Sequence, residues 1–343
     1  MNQRWFNWKV SIALSLTIAA GVFWGPFLML EQYRAENARL AAEIHRIAGA
    51  TTLEGYARKL AGPEGPNAWL DYEKAVNCFA PDPCLEGFIR GDVTLDSSHA
   101  TLVASLDAAL SRTHDFFESA KRSSWCFCPL DYGAGFDLSA PHLIKVSELS
   151  NHLLLSCQWH MAYGDKKLAR RHLLYDVDLV QRGLPEPLLL SRLAQLSLAS
   201  GLCEHLMEWG PQYDPDVRRT IAEALKGTHL RELMREGLIG EALQVESELL
   251  KVVQELSKAE DYSGPYGFIL QHHVPAWREW DKMQIYEAYL AFIESPDLPS
   301  NPRPRPSKLA VMASTLVPEV GWMGATVAEW ERMFAETVRK LGE

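Results

Sequence analysis

Imidazoles and thiols are the side chains whose placement in this sequence could do chemistry. His152 and His160 stand eight residues apart, on one face of a helix; His172 lies opposite them on the next element, and Cys203 and His205 on the helix that follows. Nitrogen and sulfur donors converging between helices can hold zinc or copper, which makes these five the candidate metal ligands. The competing expectation is that such histidines lie along a polar edge or bond a backbone carbonyl. His272 and His273 are adjacent and point apart on either helix or strand. Cys126 and Cys128 form a C-x-C that could pair internally, pair with Cys157 or bind a soft metal. Cys78 and Cys84 bracket a short loop containing Pro81 and Pro83, which a disulfide could staple outside a reducing compartment. No H-E-x-x-H, G-x-S-x-G, P-loop, G-x-G-x-x-G or C-x-x-C-H string occurs. Nothing fixes the separation of Asp131, Asp137 and Glu148, so no catalytic pair is assigned and no cofactor is predicted.

The elements that must position these residues are helices. Leu143, Val146, Ser150, Leu153, Cys157 and Met161 recur at steps of three and four, one apolar stripe along a helix. Gly164 is placed to close that helix in the left-handed conformation, and Asp165 to cap the next. The second helix carries Leu168, His172, Tyr175 and Leu179 on one face and ends before Gly183, Pro185 and Pro187. Two helices joined by two residues fold back on each other. A third helix, apolar at Leu190, Leu193, Leu196 and Leu202, completes the small core and stops at Gly210 and Pro211. Asp96 to Ser98 cap a helix with Leu102, Leu106, Ala109 and Phe117 on one face, and Asp214 and Pro215 open a short one. Thr228 to about Ala259 reads as one long helix that Gly237 and Gly240 bend or split. Residues 261–275 read as a loop, followed by a face of Trp277, Trp280, Gln284, Ala288 and Phe292. Val327, Trp330, Phe334, Val338 and Leu341 mark a last helix that docks on the body. The fold class expected is all-α, an irregular multi-helix bundle of hairpins behind a transmembrane helix.

After a short tail, residues 1–9, residues 10–30 contain no charge. As a helix they are about 31 Å long, the thickness of a bilayer's hydrocarbon. An uncleaved anchor is expected there rather than a signal peptide, because apolar residues continue past the small ones at Ala19 to Gly21. In the juxtamembrane helix, 31–50, a seam of Leu30, Tyr33, Asn37, Leu40, Ile44 and Ile47 has coiled-coil spacing, and Gly21 and Gly25 form a G-x-x-x-G. Gly21, Gly25, Asn37, Leu40 and Ile44 are therefore dimer candidates; the alternative is that this helix packs on its own body. The helical body spans 51–295, a proline arm 296–306, and docked C-terminal helices 307–343. The arm holds five prolines in eleven residues, a semi-rigid extended segment.

The chain has 343 residues and a net charge of −10. A 47% apolar, 23% charged composition is that of a globular protein. Residues 1–50 hold five Lys or Arg against three acids, or +2, leaving −12 on the rest. Such a body repels nucleic acid, and no nucleic-acid partner is expected. The eleven tryptophans are read as filling core and interdomain gaps.

NAWLDYEKA, CPLDYGAGFDLSAPHLIKVSEL and YGDKKLARRHLLYDVDLVQRGLPEPLLLSRLAQLSLA carry a resemblance to uncharacterised bacterial single-span, membrane-anchored helical proteins, across much of residues 67–250. The resemblance implies fold and topology and brings no activity. AYGDKKLARRHLL also resembles the turn of a tetratricopeptide-type hairpin, without a second copy at that period. The resulting expectation is a non-enzymatic accessory or scaffold subunit of a membrane complex. Its partners are the bilayer, through residues 10–30, other complex subunits and a possible second copy. It would sit in the bacterial inner membrane with its amino terminus cytoplasmic and body periplasmic. The alternatives are a metal-binding sensor or enzyme using the central His and Cys residues, and a dimeric structural envelope protein.

Overall fold

A computed structural model of the chain describes residues 25, 28–89, 91–226, 228–259, 267–294 and 321–342. The anchor expected at 10–30 lies outside the described residues except for 25 and 28–30, as do Gly21, the tail 1–9 and the arm 296–306. Among the described residues there is no strand, and no helix is long and apolar enough to cross a membrane. The elements are α1 (28–48), α2 (Leu53–Ala61), α3 (Ala68–Cys78), α4 (Glu86–Ile89), α5 (Ala100–Ser111) and α6 (His114–Ala120). They are followed by α7 (His142–Tyr163), α8 (Lys166–Arg182), α9 (Leu189–Trp209), α10 (Pro215–Lys226), α11 (Leu230–Ala259), α12 (Gly267–Glu294) and α13 (Gly321–Gly342).

The hairpin of α7 and α8 is the centre, with α3, α5 and α9 against α7. Every member of the α7 stripe, Leu143 through Met161, is buried. So are Leu149, Leu154, Leu155, His152, Ser156 and His160. A helix covered from several sides is buried nearly all round, and the single stripe understates it. Asp165 caps α8 as expected, its carboxylate accepting from the Lys167 amide at 2.8 Å. Gly164 does not take the left-handed conformation: its φ is −129°. Space is what selects glycine there, since a Cβ would strike the Trp159 ring and His160 Nδ1.

Three further expectations are corrected. Leu190 is 65% exposed and lies off the buried face of α9, which has Leu189, Leu196 and Leu202 in the core. The helix of α12 starts at Gly267 and runs through Pro275, where a loop was expected. Its buried face is Ala276, Ile285, Tyr286, Tyr289 and Ile293, while Trp277 is half exposed. Aromatic residues outweigh their neighbours in a periodicity count, which shifted the expected stripe by about one residue. Gly237 and Gly240 leave α11 unbroken. They face the start of α9, where a Cβ on Gly237 would crowd Leu189 and Arg192 and one on Gly240 would overlap the Pro187 carbonyl oxygen. These glycines serve close helix approach.

The seam of α1 belongs to the chain itself. Asn37, Leu40, Ile44 and Ala48 are buried in the body. Asn37 Nδ2 donates to Glu279 of α12, at 2.8 Å to its carbonyl and 2.7 Å to its carboxylate. His45 Nε2 meets Glu246 of α11 at 2.7 Å. Asn37, Leu40 and Ile44 are thus covered within one chain and are not a face free for a second copy; a Cβ on Gly25 would meet nothing within 4 Å. The last helix docks as expected, α13 lying on α9 and α10 with Val327, Phe334 and Leu341 buried.

Candidate functional site

The five candidate ligands do not converge. His152 Nδ1 donates to the Glu148 carbonyl one turn back, at 2.6 Å, and burial lowers its pKa. Cys203 lies near Thr337 of α13, its thiol raised to about 11 by burial. His205 Nε2 meets the Tyr213 hydroxyl at 2.9 Å, and burial lowers its pKa to about 4. All six cysteines are free thiols. Cys78 donates to the Ala75 carbonyl and Cys157 to the Ala169 carbonyl, while Cys84 is exposed.

His160 and His172 instead join a polar chain that the histidine spacing could not announce, because its hub, Asp107, comes from α5. The Asp165 amide donates to His160 Nδ1 at 3.0 Å, so His160 Nε2 carries the proton it gives Asp107 Oδ2 at 2.8 Å. Ser156 donates to Asp107 Oδ1 at 2.9 Å. The Ser156 hydroxyl proton being used there, His172 Nδ1 donates to Ser156 Oγ at 2.9 Å. His172 Nε2 then accepts from His114 Nε2 at 3.1 Å. Burial, followed by the neighbouring His114, lowers the His172 pKa to about 3, which keeps that imidazole neutral and the direction of donation fixed. The chain ties α5, α6, α7 and α8 with its polar atoms satisfied, which is the signature of a structural network.

A second group collects where helices begin. Asn67 caps α3 through its Oδ1, which accepts from the Trp69 amide at 3.1 Å and the Phe127 amide at 3.0 Å. Its Nδ2 donates to the Phe127 carbonyl at 2.7 Å, and the Ala68 amide donates to the Trp125 carbonyl at 2.9 Å. One asparagine side chain thus clamps the segment carrying Cys126 and Cys128. Cys126 turns to the Arg182 carbonyl at 3.4 Å, and burial raises it to about 12. Arg182 closes the same corner, donating to the Ser123 and Ala120 carbonyls at 2.6 and 3.0 Å.

Cys128 faces the other way. Its thiol, His142 at the first position of α7 and Glu186 in the linker before α9 place one donor atom each within 4.8 Å of one another. His142 Nε2 lies 2.7 Å from Glu186 Oε1, which also accepts from Ser191 Oγ at 2.8 Å. Glu186 is fully buried, and its Oε2 has no hydrogen-bond partner. The starts of α7 and α9 bring the positive ends of two helix dipoles to this carboxylate. Among the described residues this is the group that could hold a metal. Sequence reading passed over it because Glu186, flanked by Pro185 and Pro187, reads as turn punctuation and His142 as a helix start. The C-x-C was the only signal in the chain that pointed here.

A surface groove of about 690 Å³ lies between the start of α11 and α13, with Leu230, Phe334 and Val338 in its floor and Arg231, paired to Glu331 at 2.7 Å, on its rim. Comparison with protein-family models, curated proteins and solved structures finds no match for this chain.

Proposed function

We propose that the protein is a membrane-anchored accessory or scaffold subunit, held in a bacterial inner membrane by residues 10–30, whose helical body binds other proteins of a membrane complex. One observation supports this reading above others: α1, which directly continues the apolar stretch, is buried in the body through Asn37, Leu40, Ile44 and Ala48. A body joined by a flexible linker would sample all orientations above the bilayer. Burial of this helix, with its hydrogen bonds to α11 and α12, would hold the body in a fixed relation to an anchor that continues α1, and so fix which surfaces face a neighbouring subunit. Of the two alternatives, the metal-binding one no longer rests on the five dispersed candidates but on Cys128, His142 and Glu186, and the dimeric one loses the seam of Asn37, Leu40 and Ile44, which is buried within the chain.

The test is gentle detergent extraction of the full chain, with mass spectrometry of what accompanies it in fixed stoichiometry. Replacing both Leu40→Ser and Ile44→Ser frees the helix from the body. The variant should still fractionate with membranes and should lose those subunits. Extraction of the unaltered chain alone, its release by carbonate, or equal recovery of the same subunits with the variant overturns the proposal.

A further inference from the structure

The geometry points to a divalent-cation site of the zinc class formed by Cys128, His142 and Glu186, independent of the scaffold reading. A thiolate, an imidazole and a carboxylate are the donor set that zinc takes, with a fourth position for water. Their combined charge with a divalent ion is zero, which suits a buried position.

Three features distinguish the group from an ordinary buried hydrogen-bonded pair. Glu186 Oε2 is fully enclosed and lacks a donor, although the other oxygen of the same carboxylate has two. Such an atom costs free energy unless something positive reaches it, and here, unlike at Asp176, a thiol and an imidazole stand beside it. The Cys128 backbone is held in place from both sides: its carbonyl accepts from the Tyr132 hydroxyl at 2.9 Å, and the preceding Phe127 is clamped by Asn67. The ligand-bearing segments are thereby preorganised, and Ser191 supplies the outer hydrogen bond that orients a coordinating carboxylate. Finally, the His142 ring is only partly covered, its side chain 12% exposed, and it lies edge-on to Trp69 at 4.8 Å, which gives a cation a route in on the His142 side.

Donors on one tetrahedral ion stand about 3.3–3.8 Å apart. The 2.7 Å between His142 Nε2 and Glu186 Oε1 is therefore the proton-held form of the site. On binding, the ion takes Glu186 through Oε2 and His142 through Nε2, whose proton, until then donated to Glu186 Oε1, passes through solvent to Nδ1 so that the imidazole stays neutral. The Cys128 thiol gives its proton to solvent as the metal–sulfur bond forms.

The test is a titration of the detergent-extracted full chain with Co²⁺, read by its near-ultraviolet thiolate charge-transfer band, followed by Zn²⁺. One equivalent should develop the band and Zn²⁺ should abolish it, with the melting temperature rising to a plateau at one equivalent of Zn²⁺. Cys128→Ser should lose the band, and Glu186→Gln should weaken cobalt binding more than tenfold. Cys126→Ser should leave both unchanged. Absence of the band and of the melting shift in the unaltered chain, or a band that survives Cys128→Ser or disappears with Cys126→Ser, overturns the assignment. Should Cys128→Ser fail to fold, Glu186→Gln and the melting shift carry the decision.

Discussion

The polar atoms of Asp107, Ser156, His160 and His172 all find partners, whereas at Glu186 one carboxylate oxygen is left over beside a thiol and an imidazole. Both groups lie among helices, and both contain the residue types from which sites are made. In the first, each donated proton dictates the next, so the chain has one direction and no vacant acceptor. In the second, the hydrogen bonds stop short of using what is present. Satisfied polar networks hold helices together; an unsatisfied one with metal-binding donors is where a ligand would add free energy.

Variants can break or sharpen that contrast. The largest effect is expected from Gly240→Ala, whose added Cβ overlaps the Pro187 carbonyl and must displace either α11 or the linker bearing Glu186. Urea unfolding should show a loss above about 3 kcal/mol, because backbone rather than a flexible side chain has to move. Asp107→Ala removes the hub on which Ser156 and His160 converge and should cost about 3 kcal/mol by the same measurement. A loss near zero would mean that the Asp107 chain is not holding the helices.

Asp176 supplies a third probe, one read through pH. It is fully buried, accepts from Ser150 at 2.5 Å, and burial raises its pKa from 3.8 to about 7. The folded state therefore holds a proton that the unfolded state has lost between those values. Its stability contribution is complete below about pH 4 and is lost as pH rises to about 7. Asp176→Asn should raise stability at pH 8 by about 2 kcal/mol and change little at pH 4, checked by denaturation at both. A gain at pH 4 as large as that at pH 8 would contradict the burial origin of the shift.

Glu186→Gln should have the smallest effect on stability, within about 1 kcal/mol. The amide retains an acceptor for His142 and Ser191 and replaces an unmatched anionic oxygen with a neutral group. Small loss of stability together with lost cobalt binding is the opposite of the Asp107 pattern. A loss as large as that of Asp107→Ala would place Glu186 among the structural groups and dissolve the contrast.

Much of the helical framework was open to reading from sequence. The α7–α8 hairpin, the Asp165 cap, the long α11 and the docking of α13 follow from apolar spacing and from residues whose backbone preferences are local. Where one helix would meet another was less accessible. Gly237 and Gly240 look like breaks in a sequence, and only the approach of α9 makes them contact points. The seam through Asn37, Leu40 and Ile44 has the spacing of a dimer, and spacing cannot say whether its partner is another chain or α11 and α12 of the same one.

What this sequence determined by itself is which segments are helical, where several of them begin and stop, and that residues 10–30 have the length and apolarity of an anchor. Tertiary structure decided which polar residues meet. His142 and Glu186 are 44 residues apart and Cys128 lies on a third segment, so their association leaves no periodic trace. Helix formation is governed by neighbours within a turn or two of backbone. A ligand set drawn from helix starts and linkers is fixed by how whole elements pack, and that information exists only once they are folded together.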